Sequence, residues 1–279
     1  MTIAQRSTIP LDEQTGINEL PKDLVGHRRE VTCLDVDQIS KLAIAGGRDR
    51  HLSLWDLSQG SLVTIEKSAH SRLITCVKLR NSHAYSSSRD RSVKVWNVPQ
   101  LQLLQVLQGY HGHSVWAIDV RNLFLVTASS DKSMNVWTNN EQLWSLKFEL
   151  NNNNAPLRNI LILNKRPALA VTGDLVGDIK VWNLNTGVIE FEVPDPRREF
   201  TFPGAVVSLS QSSSFFAAGY STNDVALFDS NNYNSILTID ICRYVDKNSF
   251  IRSIYLCDGQ LYVCNVSGKV GILIFSLWE

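Results

Sequence analysis

The chain of 279 residues has few cysteines, no net charge and no long apolar run. Its five cysteines form no CxxC pair, and Cys33 and Cys76 occupy equivalent places in two hydrophobic runs, which favours core packing over disulfides or zinc ligation. Lysine plus arginine and aspartate plus glutamate each number 27, so nothing draws the whole molecule to nucleic acid or an anionic membrane. Without a membrane span or secretory signal, we expect a cytoplasmic and/or nuclear protein.

Motifs of common enzyme classes are also missing from the sequence. It contains no GxGxxG or Walker-type loop, no HExxH pair and no GxSxG elbow. His111 and His113 flank Gly112, but further metal ligands do not occur nearby in the sequence. We therefore expect no enzyme activity, no cofactor and no metal.

An internal repeat is the strongest pattern present. Alternating segments end in an aromatic marker residue, and the markers are Trp55, Trp96, Trp137, Trp182, Phe228 and Phe275. Successive markers lie 41, 41, 45, 46 and 47 residues apart. This spacing fits a propeller blade of about 40–45 residues, with longer loops in the later copies. Two alternating runs precede each marker strand and another follows it, so each repeat predicts four antiparallel strands.

The repeats predict an all-β fold, a β-propeller of four-stranded antiparallel blades over residues 26–279. Six markers predict six blades, and a seventh, partial blade is the alternative. Residues 1–25 are too few for a further blade, and the last repeat has room for only three strands. We expect the N-terminal segment to supply the missing outer strand, because an open sheet edge would otherwise remain exposed. Pro10 and Pro21 suit such an edge strand.

A hydroxyl, an imidazole and a carboxylate recur beside the marker tryptophan in two repeats. The sets are His70, Ser86, Asp90 and Trp96 in the second repeat, and His113, Thr127, Asp131 and Trp137 in the third. Such residue types could form the nucleophile, base and acid of a hydrolase. Because one active site needs no second copy, we interpret both sets as structural and keep a hydrolase centred on His113 as the lesser alternative.

The same residues carry a family resemblance. Three repeats have a Gly-His or Ala-His pair, a turn aspartate six residues before the marker, and a closing Trp-Asp, Trp-Asn or Trp-Thr. These features resemble the pattern of WD-repeat propellers, and the resemblance covers about residues 26–279. The resemblance implies a buried hydrogen-bond chain in each blade, from aspartate to histidine to serine or threonine to the indole. The first repeat has His27, Asp49 and Trp55 but Ala45 at the hydroxyl position, so we expect its chain to be broken.

Basic residues adjoin the turn aspartate in three repeats. They are Arg48, Arg50, Arg89, Arg91 and Lys132. Since one such turn per blade opens at the same end of a propeller, these side chains can form a cationic rim that binds phosphate or carboxylate oxygens. Trp116 replaces the threonine of the other repeats and is expected near that mouth as a further peptide-binding residue. Alternatively, the basic residues are ordinary residues of the repeat that are solvated or paired locally, and Trp116 packs in the core.

The short links between the first two strands of each repeat resemble those of F-box/WD-repeat substrate receptors of ubiquitin ligases. The resemblance implies that the turn arginines recognise a phosphorylated or acidic peptide. Only residues 17–24 are similar to the opening of an F-box, so a Skp-type adaptor is a partner only if an F-box lies outside this chain. We expect a scaffold that binds short acidic or phosphorylated peptides. The alternative is a structural subunit of a stable assembly in RNA processing, trafficking or signalling.

Overall fold

The computed structural model describes residues 26–140, 143–193, 204–241, 250–257, 260–265 and 270–274. These residues form two compact units, one up to Ile160 and the other from Leu161. Their regular structure consists of β-strands, and no helix among them is long and apolar enough to cross a membrane. The proposed closing strand from residues 1–25 and the marker Phe275 lie outside the described residues.

Three four-stranded antiparallel sheets, each made of consecutive strands, account for most of the first unit. The first sheet contains β1 (Val31–Asp37), β2 (Leu42–Gly47), β3 (Leu52–Asp56) and β4 (Ser61–Glu66). The second contains β5 (Ile74–Arg80), β6 (His83–Ser88), β7 (Val93–Asn97) and β8 (Gln102–Leu107). The third contains β9 (Val115–Arg121), β10 (Phe124–Ser129), β11 (Met134–Asn140) and β12 (Leu143–Leu150).

Three further sheets follow along the chain. The fourth contains β13 (Leu157–Ile162), β14 (Leu169–Asp174), β15 (Ile179–Asn183) and β16 (Ile189–Val193). The fifth contains β17 (Val206–Gln211), β18 (Phe215–Tyr220), β19 (Asp224–Asp229) and β20 (Ser235–Asp240). The last has three strands among the described residues, β21 (Ile251–Cys257), β22 (Gln260–Asn265) and β23 (Val270–Ile274). These six sheets correspond to the six predicted repeats.

Burial differs between the strands of each sheet in the way their sequences indicate. In the first five sheets the second strand is almost wholly buried, as in β14, where all six residues are buried. The outer strand β4, by contrast, contains three exposed and three half-buried residues and no buried one. The marker tryptophans lie on the third strands and are 5% exposed or less. A strand covered on both faces reads as a continuous apolar run, whereas an outer strand carries polar residues.

The core of the first unit includes a cluster that joins its first two sheets. Ile44 and Leu54 of the first sheet pack in the same cluster as Ile74 and Trp96 of the second. Gly46 allows this close approach, because a Cβ atom there would lie 2.6 Å from Ile74 Cγ2. The two sheets, and the turns at their ends, are therefore held in fixed relation.

The inner strands β1, β5 and β9 share a bulge at their second residue. The strand pairing skips Thr32, Thr75 and Trp116. The Thr32 hydroxyl donates to the carbonyl of Ile74, and the Thr75 hydroxyl donates to the carbonyl of Val115. The threonine at this place therefore links one inner strand to the next. Trp116 stands at the equivalent place of the third sheet, as the sequence predicts.

Candidate functional site

The second sheet contains a continuous hydrogen-bond chain from a turn to the buried indole. Asp90 Oδ2 lies 2.9 Å from His70 Nδ1, and His70 Nε2 lies 2.8 Å from Ser86 Oγ. Trp96 Nε1 donates to the same Ser86 oxygen at 2.9 Å. The backbone N–H of Ser71 also donates to Asp90. The chain therefore fastens the loop before β5 to the turn between β6 and β7, and it satisfies polar groups that would otherwise be buried without partners.

The turn aspartates of this chain are held in the ionised form. Burial by itself disfavours the charge on Asp90, but hydrogen bonds from His70, Ser92 and the Ser71 backbone outweigh it and hold the pKa well below its usual range. Burial and hydrogen bonds oppose each other in the same way at Asp131, and its pKa is also well below its usual range. Both carboxylates are therefore charged at neutral pH and act as acceptors within the fold.

In the third sheet the histidine of the chain is His111, which corrects the prediction of His113. His111 Nε2 lies 2.7 Å from Thr127 Oγ1, and Trp137 Nε1 donates to that same oxygen at 3.3 Å. His111 Nδ1 lies 2.8 Å from Ser133 Oγ, whose hydroxyl donates to Asp131 Oδ1, and 3.5 Å from Asp131 Oδ2. His111 is 7% exposed, whereas His113 is an exposed residue.

Loop length explains why His111 rather than His113 completes the chain. His111 precedes Thr127 by 16 residues, and His70 precedes Ser86 by 16 residues. The residue after each histidine donates its backbone N–H to the turn aspartate, from Ser71 in one case and Gly112 in the other. The Gly-His pair at 112–113 is thus displaced by two residues from the position that reaches the buried hydroxyl.

The hydrogen-bond chain of the first sheet is complete, although Ala45 carries no hydroxyl. His27 Nδ1 lies 3.0 Å from Asp49 Oδ1, and His27 Nε2 lies 2.8 Å from Ser53 Oγ. Trp55 Nε1 donates to Ser53 Oγ at 3.0 Å. Ala45 and Ser53 are direct partners across β2 and β3. The neighbouring strand therefore supplies the oxygen, which corrects the prediction of a broken chain.

We expect Ser53→Ala to lower the free energy of unfolding by about 2 kcal/mol, because it leaves the buried ring nitrogens of His27 and Trp55 without their acceptor or donor. Adding Ala45→Ser to that variant restores at least half of the loss, since it returns the hydroxyl to the strand that carries it in the second sheet. Denaturant unfolding of both variants measures the two effects. Wild-type stability in Ser53→Ala, or no recovery in the double variant, would contradict this account.

The fourth sheet keeps only the inner end of the chain. Trp182 Nε1 donates to Thr172 Oγ1 at 2.9 Å. Asp174 accepts the backbone N–H groups of Val176 and Asp178. Burial raises the pKa of Asp174 in spite of these hydrogen bonds. The complete hydrogen-bond chain thus occurs in the first three repeats. There it joins the loop before the first strand to the turn between the second and third strands.

Arginines on these fixed loops and turns surround one cavity of about 560 Å³ in the first unit. Its lining consists of Arg28, Arg29, Arg48, Asp49, Arg50, His51, Arg72, Leu73 and Arg89. Six arginines and one aspartate give the lining a formal charge of +5, although the formal net charge of the whole chain is zero. We call this feature the arginine cavity.

The acidic groups near the arginine cavity are already engaged. Asp49 faces His27 and accepts the backbone N–H groups of Arg28 and His51. Burial disfavours its charge, but these hydrogen bonds prevail and lower its pKa. Arg48 Nε lies 3.0 Å from Glu30 Oε2. The other five arginines of the lining are exposed and form no ion pair within the part of the chain that the structure describes.

The structure divides the predicted binding residues into two groups. Arg48, Arg50 and Arg89 line the arginine cavity, whereas Arg91 and Lys132 do not. Arg50, Arg91 and Lys132 nevertheless occupy equivalent turn positions, with φ of 69°, 71° and 73°. The turn position alone therefore does not place a basic side chain in the cavity.

Sequence reasoning missed Arg28, Arg29 and Arg72, which also line the cavity. Each lies one or two residues after His27 or His70, the histidines of the hydrogen-bond chains. Because the histidine fastens its loop to the turn aspartate, residues just after it are held next to the turn arginines. That position, combined with the basic turns, is the signal that could have found them.

Trp116 contacts one arginine of the cavity and a second arginine outside its lining. Arg89 Cζ lies 4.8 Å from the centroid of the Trp116 ring, and Arg158 Cζ lies 3.9 Å from it. The indole N–H donates to Ser130 Oγ. The ring is half-buried and covered by guanidinium groups, so its contacts differ from those of a ring that only packs in the core.

Comparisons with known proteins agree with this architecture. The family model "WD domain, G-beta repeat" matches residues 18–56, 61–97 and 102–138. The computationally designed Ika8 protein is similar in structure with a TM-score of 0.73 and 19% identity, over 90% of this chain and 73% of that chain. The WD40 β-propeller domain of Doa1 is similar with a TM-score of 0.73 and 18% identity, over 89% of this chain and 79% of that chain.

At these identities the structural similarity concerns the fold alone. The comparison with curated proteins found no match. The family match covers the three repeats in which the hydrogen-bond chain is complete, and the structural similarity extends over about 90% of the chain. The WD40 family model thus matches three successive repeats between residues 18 and 138, and the described residues have a fold similar to that of a WD40 β-propeller domain.

Proposed function

We propose that this chain is a protein-interaction propeller whose arginine cavity binds a short acidic or phosphorylated peptide. WD40 propellers generally bind other proteins or peptides. The observation that carries the proposal is the set of five exposed arginines around one cavity, which have no ion-pair partner among the described residues. A guanidinium group presents parallel N–H donors that match the oxygens of carboxylate and phosphate.

The size of the arginine cavity indicates which part of a peptide it would hold. A volume of about 560 Å³ lies within the range of about 300–1,000 Å³ that is typical of small-ligand sites. It accommodates a charged side chain and its neighbours, whereas the remainder of a peptide would lie on the surface outside. A phosphoserine carries a charge of about −1.5 to −2 at neutral pH, so it pairs with more guanidinium groups than a carboxylate does.

The F-box/WD-repeat resemblance suggests a finer role, the recognition of substrates for a ubiquitin ligase. The exposed arginines that line the cavity support one part of that role, the binding of a peptide. Recruitment of a Skp-type adaptor would depend on an F-box outside the residues of this chain.

Peptide binding can be measured by fluorescence anisotropy with three labelled decapeptides. One contains phosphoserine between glutamates, the second contains unmodified serine between glutamates, and the third has serine and glutamine only. We expect the phosphorylated peptide to bind at least tenfold more tightly than the unmodified acidic one, and the neutral peptide to show no binding. Affinity should fall as salt rises, because these charges lie near solvent. Equal affinities for all three peptides would refute the proposal.

A stable subunit of a larger assembly is the second candidate function. Apolar side chains on two outer strands support it, since Leu62 and Val63 of β4, and Leu103 and Leu104 of β8, are 40–45% exposed. Purification from the native cell would then return one partner in constant ratio, and phosphatase treatment would not release it.

A further inference from the structure

We propose that Trp116 is a positioning residue, whose ring holds Arg89 in the arrangement with which the arginine cavity binds an anion. The inference rests on the proposed function of the cavity and assigns a role to a residue that does not line it. It also replaces the sequence prediction that the peptide touches Trp116 directly, because guanidinium groups already cover the ring.

Arg89 connects the arginine cavity with the third sheet. It belongs to the turn between β6 and β7 and lines the cavity, while its Cζ atom lies 4.8 Å from the ring centroid of Trp116 on β9. An exposed arginine loses much rotamer freedom when it binds a ligand. A ring that attracts its guanidinium group beforehand reduces that loss, and the attraction leaves the N–H donors at the edge of the group available to an anion.

The repeat pattern indicates that the fold itself does not require a tryptophan at position 116, because threonine occupies this place in two other repeats. At the same place in β1 and β5, Thr32 and Thr75 link their strand to the next inner strand through the side-chain hydroxyl. Trp116 has no such hydroxyl, and its N–H donates to Ser130 at the end of its own sheet. Trp116 thus replaces the hydroxyl link of Thr32 and Thr75 with an aromatic ring beside the cavity. Departures from a local rule of the fold are expected at functional sites.

Arg158 adds a second positive charge at the same ring. It is the second residue of β13, the place that Trp116 occupies in β9, and its Cζ atom lies 3.9 Å from the ring centroid. Two guanidinium groups thus contact one indole, and that of Arg89 also lines the arginine cavity. The ring therefore holds positive charge next to the cavity.

The test uses isothermal titration with tripolyphosphate as the probe, and repeats it with the phosphoserine decapeptide. The variants are Trp116→Thr, which restores the residue of the other repeats, Trp116→Phe, which keeps a ring, and Arg89→Gln. We expect Trp116→Thr to weaken binding about fivefold and Trp116→Phe to weaken it less than twofold. In the Arg89→Gln background, Trp116→Thr should change the affinity less than twofold, because its effect passes through Arg89.

Three results would overturn the proposal. They are an unchanged affinity in Trp116→Thr, an equal loss in Trp116→Phe, and a fivefold loss that persists in the Arg89→Gln background. Circular dichroism and thermal unfolding show whether each variant folds, and Trp116→Leu replaces Trp116→Thr in the cycle if the latter does not. If tripolyphosphate binds and the peptide does not, the peptide function fails and the role of Trp116 stands. If neither binds, both fail.

Discussion

A triple variant, in which glutamine replaces Arg50, Arg72 and Arg89, is expected to bind the phosphoserine peptide at least 100-fold more weakly. The three residues supply three of the five guanidinium groups of the arginine cavity for which the described part of the chain offers no ion-pair partner. A hydrogen bond to a charged group contributes about 1.5–3 kcal/mol, and a 100-fold loss corresponds to about 2.7 kcal/mol in total. Because all three residues are exposed, the free energy of unfolding should change by less than about 1 kcal/mol. Fluorescence anisotropy measures the binding.

Arg50 and Arg91 offer a matched control for this experiment. They hold equivalent turn positions with nearly the same backbone conformation, but only Arg50 lines the arginine cavity. Arg50→Gln alone should weaken binding at least fivefold, whereas Arg91→Gln should weaken it less than twofold. Equal losses in the two variants would mean that general positive charge, rather than the cavity, attracts the peptide.

His111→Ala is expected to lower the free energy of unfolding by about 3 kcal/mol, whereas His113→Ala should change it by less than about 0.5 kcal/mol. Removing the His111 ring separates the buried hydroxyl of Thr127 from the turn carboxylate of Asp131 and leaves both with fewer partners. His113 is exposed, and surface substitutions are usually close to neutral. Denaturant unfolding of the two variants, two residues apart, provides the comparison.

The same pair of variants separates the structural interpretation from catalysis. If the third repeat housed a hydrolase centred on His113, His113→Ala would abolish turnover of an ester substrate while the protein remained folded. We expect stability to depend on His111 and no activity to depend on His113. A stability loss in His113→Ala as large as that in His111→Ala would contradict the assignment of the chain.

The strands of the fold were predictable because their signals are local. Alternating runs and the regular spacing of Trp55, Trp96, Trp137 and Trp182 follow from the burial of the third strand in the first four sheets. The residues of the hydrogen-bond chains were less predictable, because their positions depend on strand register and loop length. Ser53 replaces the hydroxyl missing at Ala45 only because the two residues are partners across neighbouring strands.

The candidate site shows the same limit of sequence reasoning. Arg48, Arg50 and Arg89 were found through their repeated place beside the turn aspartate, and the structure puts them around one cavity. Arg28 and Arg72 were missed because they lie one or two residues after the motif histidines, outside the motif itself. Hydrogen bonds between loop and turn bring them to the cavity, and the repeat pattern indicates this contact only when it is combined with the basic turns.

The alternation of Arg48, Asp49 and Arg50 has a consequence for how such a protein can change. The aspartate directs its oxygens inward to His27 and backbone N–H groups, while its two neighbours are exposed. Asp49 thus stabilises the fold, whereas the proposed function assigns ligand contact to its two neighbours. Under that proposal, substitutions at the arginines would change the ligand preference at little cost in folding, because the groups that hold the turn lie on Asp49.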